Sequence, residues 1–165
     1  MLKTAIAVNL FQLNQFASTV RDLNPSTLYS RSPGHNHPAV WVLGHLAITG
    51  ELGQRILGGR IEHPKWVRMF GIGSSDDPAT LLNGSDQFTL PELVNSVESA
   101  YAGLRQLAAN ASDAAVDAPH NVPIFQGTPI ETSGLLICVL LTNHFGFHLS
   151  QLSACRRDAG HPPLF

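Results

Sequence analysis

In TNHFGFHLSQ, residues 142–151, His144 and His148 stand four residues apart and Gln151 follows three later. On a helix this spacing puts side chains on one side, with Cβ atoms about 5–6 Å apart. Both imidazoles can then meet at one point, and neutral nitrogen donors suit zinc, nickel, copper and iron. A pair of packed core histidines, each satisfied by one hydrogen bond, is the other reading of the same spacing. No glutamate follows His144, so this is not the HExxH arrangement of a zinc protease.

A third imidazole lies in AVWVLGHLAITG, residues 39–50. His45 sits among Leu43, Leu46, Ala47 and Ile48, where an unpaired imidazole is costly. Trp41, four residues earlier, shares its face as pocket wall or core. Facing helices of a bundle build metal sites in this way, one ligand from one helix and an i,i+4 pair from another. Gly44 and Gly146 beside these histidines are unusual in helix interiors, each costing about 1 kcal/mol relative to alanine. Close helix approach near the site would explain both, and a purely packing role is the other reading. Gln151 either orients a ligand imidazole from behind or bonds helix to helix.

The other histidines, His35, His37, His63, His120 and His161, fall in expected loops or the tail, where solvation is the default. Of these, His37 could swing toward the mouth of the site. Glu51, six residues past His45, points elsewhere on its helix and makes a poor fourth ligand. Cys155 lies about 10 Å along the axis from His148, too far to ligate. Arg156 and Arg157 suit the negative end of the last helix dipole.

Four elements must position these residues. Apolar residues Leu2, Ile6, Leu10, Leu13, Phe16 and Val20 mark one helical face over about 2–23, stopped by Asn24-Pro25. A second helix is expected over 38–57, closed by Gly58-Gly59. Residues 60–90 are the least regular, with an apolar piece KWVRMFG and a helical turn after Asp77-Pro78. Thr89, Pro91 and Glu92 announce a third helix to about 110 through a capping box. A long connection over 111–131 leads to the last helix, 132–159. The pattern predicts an all-α four-helix bundle with two long crossover connections.

The chain has 165 residues, 44% of them hydrophobic and 13% charged, which predicts one folded domain over 1–165. A net charge of −2 with no basic block argues against nucleic acid as a partner. The apolar run 134–141 is short of the roughly 20 residues of a membrane span, and the N-terminus reads as an amphipathic helix. The expectation is a soluble cytoplasmic protein with Cys138 and Cys155 both reduced.

The segments WVLGHLA, PKWVRMFGIGS and NHFGFHLSQLSACRRDAGHPP together resemble the DinB/YfiT-like superfamily. Its W-x-x-x-H element corresponds to Trp41 and His45, and its H-x-x-x-H-x-x-Q element to His144, His148 and Gln151, with Arg156 and Gly160 trailing. The resemblance implies a four-helix bundle, a divalent metal held by His45, His144 and His148, and a homodimer. Zinc or nickel is the leading ion, with iron and manganese as others. Some relatives use a low-molecular-weight thiol such as mycothiol or bacillithiol. The functional expectation is a metal-dependent enzyme activating water or a thiol toward a small-molecule substrate, as a thiol S-transferase or hydrolase. The alternatives are a non-catalytic metal-binding or dimerisation bundle and a polar core network that binds nothing.

Overall fold

The computed structural model describes residues 2–74 and 88–164. Among the described residues six helices carry the fold: α1 (Leu2–Arg21), α2 (Ala39–Ile56), α3 (Trp66–Phe70), α4 (Leu90–Asn110), α5 (Asp113–Asp117) and α6 (Ser133–Asp158). Among the described residues there is no strand, only isolated bridges at Arg31–Pro38 and Pro119–Thr132. The helical turn expected after Asp77-Pro78 lies outside the described residues.

The N-termini follow local chemistry. Asn24 accepts from the Ser26 amide and opens a short 3₁₀ turn, Pro25–Thr27, as α1 ends. Thr89 and Glu92 form the expected capping box at the start of α4, and Thr132 accepts from the Leu135 amide at the start of α6. The 60–90 and 111–131 connections contain α3 and α5 respectively, so neither is structureless.

α2 is buried over almost its whole length and pairs most extensively with α4. α1 lies against α6 and α4, and α6 also touches α2. A Cβ on Gly50 would come within 2.9 Å of the Ala100 Cβ, and one on Gly53 within 2.8 Å of Leu104. Small residues thus bring the α2 and α4 backbones together. The 26-residue α6 is the one helix among the described residues that is long and apolar enough to cross a membrane by length and composition.

The inner face of α1 departs from the apolar pattern. Leu10 is 50% exposed, whereas Asn9 and Thr19 are buried beside Leu2, Ala5, Phe16 and Val20. Asn9 is drawn inward because its amide finds a partner on α6, donating to the Leu141 carbonyl at 2.9 Å. α6 itself is not uniform: Ser133–Val139 and Phe145–Asp158 are α-helical, and Leu140–His144 between them is a π-helical turn.

Gly44 has a specific task. A Cβ there would lie 2.5 Å from two ring carbons of Phe70, so glycine lets α3 close onto α2. Gly44→Ala is expected to displace Phe70 and cost about 1–3 kcal/mol, as overpacking does. Chemical denaturation checks this, and an unchanged midpoint would contradict it.

Candidate metal centre

The three histidines singled out by spacing converge. The His45 and His144 Nε2 atoms lie 3.2 Å apart, and one ring nitrogen from each of His45, His144 and His148 falls within 4.8 Å of the others. His45 comes from the middle of α2, His144 closes the π turn of α6, and His148 stands one turn further.

Two of the three imidazoles are fixed from behind. His45 Nδ1 is 2.6 Å from the Phe70 carbonyl, which can only accept, so Nδ1 carries the proton and Nε2 is left as a lone pair. His148 Nδ1 is 2.7 Å from Gln151 Oε1, which sets the same tautomer. Gln151 therefore acts on the imidazole and does not bridge helices. His144 Nδ1 is buried without a partner, so its tautomer is free to follow what its Nε2 meets.

Trp41 forms the adjoining wall. Its indole stacks on His45 with centroids 4.7 Å apart and planes 8° from parallel, and its Nε1 donates to Ser74 Oγ at 3.1 Å. His37 stacks on the same indole with centroids 4.6 Å apart, so Trp41 lies between the His37 and His45 rings. Phe147, 58% exposed, touches His148 with its ring edge-on.

Burial holds all three imidazoles neutral. His144 is pushed down to about 4, by burial and by His45. His148 falls to about 3, by burial and by His144 and His45, against the opposing pull of Gln151. His45 is also lowered, chiefly by burial, although its bond to Phe70 works the other way.

This donor set fits a divalent ion. Lone pairs converge, the rings stay unprotonated at neutral pH, and carbonyl or amide oxygens orient two of them. Two nitrogens about 2.0–2.1 Å from a tetrahedral ion sit about 3.4 Å apart, close to the His45–His144 contact. Gln151→Leu is expected to leave His148 unoriented and weaken zinc binding about 10–100-fold, measured by competition with a chromophoric chelator. Wild-type affinity in this variant would mean that Gln151 has no such role.

Several residues behave differently from the sequence expectation. His120 is buried, with Nε2 2.7 Å from the Ile130 carbonyl and Nδ1 accepting from the Val122 amide, so it closes the 111–131 connection. His63 is half-buried and pairs with the buried Glu51 carboxylate at 2.5 Å, while Glu51 also accepts from the Glu62 and His63 amides. Glu51 is thus occupied away from the three imidazoles, as its position on α2 suggests. His35 Nε2 is 3.0 Å from the Gln151 carbonyl, pinning the loop before α2 to α6. Arg156 is buried and binds Asp22 Oδ2 through Nε at 2.9 Å and Nη2 at 2.7 Å, joining α6 to the end of α1. The guanidinium also holds the Asp22 carboxyl below its usual range.

No curated protein and no solved structure matches the chain. The family model described as the DinB superfamily matches residues 11–152, a span that includes His45, His144, His148 and Gln151. Most of the chain, with all of its converging imidazoles, therefore lies inside the match, and the protein belongs to the DinB superfamily.

Proposed function

We propose that His45, His144 and His148 hold a divalent metal, zinc or nickel foremost, and that the protein is a metal-dependent enzyme acting on a small molecule. The observation that carries this reading is the 3.2 Å approach of two imidazole Nε2 atoms, with the Nδ1 atoms of His45 and His148 tied off behind. Three neutral nitrogen ligands leave room for a further ligand, the feature that separates catalytic from structural sites. An ion there supplies Lewis acidity, which lowers the pKa of a water or low-molecular-weight thiol and polarises a substrate oxygen. The chain's own residues orient the ligand rings through Phe70 and Gln151, and Trp41 limits rotation of His45. The reaction class that fits is S-transfer from a thiol cosubstrate, or hydrolysis.

The four long helices α1, α2, α4 and α6 we read as one four-helix bundle with crossover connections, forming a single domain. The free Cys138 and Cys155 accord with a cytoplasmic setting. A second reading is a non-catalytic bundle whose task is association. The exposed Val8, Leu10 and Phe11 on α1 favour a homodimer in either case.

The test is chelation followed by a screen of thiol-transfer and hydrolase substrates. Turnover lost on metal removal and restored by zinc or nickel, with helical circular dichroism unchanged, supports the enzyme. Global unfolding on chelation would mark the ion as structural and contradict it.

A further inference from the structure

Inward residues of α6 recur every four positions: Leu136, Leu140, the half-buried His144, His148 and Leu152 on one line, the buried Ile137, Leu141, Phe145 and Leu149 on the next. In a regular α-helix each step of four advances the face by about 40°. A line kept facing the core over four such turns needs a wider turn somewhere, and Leu140–His144 supplies it. A π turn interrupts the regular i→i−4 ladder, and here the Thr142 carbonyl accepts from the Phe145 amide only three residues on.

Two carbonyls of the turn also accept from α1. Asn9 Nδ2 donates to the Leu141 carbonyl at 2.9 Å, and Gln12 Nε2 donates to the Thr142 carbonyl at 3.1 Å. Asn9 is wholly buried, and its Oδ1 accepts from Arg105 Nη1 of α4 at 2.9 Å, which fixes the amide's orientation. Gly146 belongs to the same contact: a Cβ there would lie 2.7 Å from Gln12 Nε2. Three helices thus meet at the turn that delivers His144.

We infer that Asn9 and Gln12 are positioning residues that hold the π turn of α6 and thereby keep His144 against His45. Neither touches the three imidazoles; each acts through the backbone. Relaxing the turn to α-helix would rotate the two halves of α6 by about 100° relative to one another, so the core contacts of one half and the ligands of the other cannot both be kept. The consequence for metal rests on the proposed function; the consequence for ring geometry does not.

The test uses Asn9→Asp, which keeps shape and the Arg105 partner but replaces the donor by a carboxylate, and Gln12→Glu, which likewise replaces a donor by a carboxylate, at a half-buried position. Ser112→Ala, which removes the N-cap of α5, is the control for a general loss of stability. In the metal-free proteins, imidazole ¹⁵N spectra report the His45–His144 contact. They should match wild type in Ser112→Ala and change in the other two. Zinc affinity by chelator competition should fall at least tenfold in Asn9→Asp and in the same direction in Gln12→Glu, and stay at wild type in the control. Unchanged ¹⁵N spectra in both carboxylate variants would overturn the inference, as would altered spectra with zinc affinity intact. If Asn9→Asp does not fold, Gln12→Glu decides. If wild type binds no zinc, the metal reading falls, while the metal-free spectra still decide whether the α1 amides position His144.

Discussion

His148→Ala and His45→Ala are each expected to strip the protein of bound metal. Changing an outer residue that orients a ligand costs about 10–100-fold in affinity, and removing the ligand itself should exceed that range. Elemental analysis of protein purified without a histidine tag should find about one equivalent in wild type and a trace in either variant. Calorimetry gives an independent reading. A ligand that binds only the folded state stabilises it by about 4 kcal/mol at a thousandfold excess over Kd. Zinc should therefore raise the wild-type melting temperature and leave the variants unmoved. Each variant has a second, smaller effect without metal, because one buried acceptor loses its donor: Gln151 Oε1 in His148→Ala, the Phe70 carbonyl in His45→Ala. An unmet buried group costs about 1–3 kcal/mol. Equal metal content in wild type and both variants would contradict the assignment.

The second large effect is on pH. In the unfolded chain a histidine titrates near 6.5, whereas in the folded, metal-free protein His144 is held at about 4 and His148 at about 3, with His45 also lowered. Below 6.5 the unfolded state therefore binds more protons than the folded one, and stability rises with pH through that window. The contribution is fully present above 6.5 and is lost as the pH falls toward 4 and 3. Each depressed imidazole contributes a slope of at most about 1.4 kcal/mol per pH unit. Urea denaturation of the metal-free protein at pH 7, 6 and 5 should show a steadily falling midpoint, and His45→Ala/His148→Ala should flatten the trend. Zinc occupancy should hold better over the same range than a site of free imidazoles would, since the fold lowers all three histidines. A wild-type midpoint that does not change between pH 7 and 5 would show that these imidazoles are not held neutral by the fold.

Much of the site was legible because its information is local. The i,i+4 spacing of His144 and His148 and the apolar setting of His45 needed only helix geometry, and the Thr89–Glu92 capping box reads directly from four residues. Gly44 and Gly146 marked close approaches, although only the structure names Phe70 and Gln12 as the groups they admit. What escaped depends on partners distant in sequence. Apolar periodicity put Leu10 inside, but Asn9 is buried because a carbonyl 132 residues away accepts from it. His120 looked like a loop histidine, yet two backbone groups of its own connection draw it inward. Arg156 suited a helix terminus on charge alone, while Asp22 fixes it. The π turn did leave a signal, the four-residue recurrence from Leu136 to Leu152, which a search for 3.6-residue periodicity passes over.

The most direct measurement is a crystal structure of tag-free, zinc-loaded protein with anomalous data collected across the zinc edge. The account predicts one peak about 2.0–2.1 Å from the Nε2 atoms of His45, His144 and His148, with no fourth protein ligand. A peak lodged elsewhere, at Glu51 and His63 for instance, or three converged imidazoles with no peak between them, would contradict it.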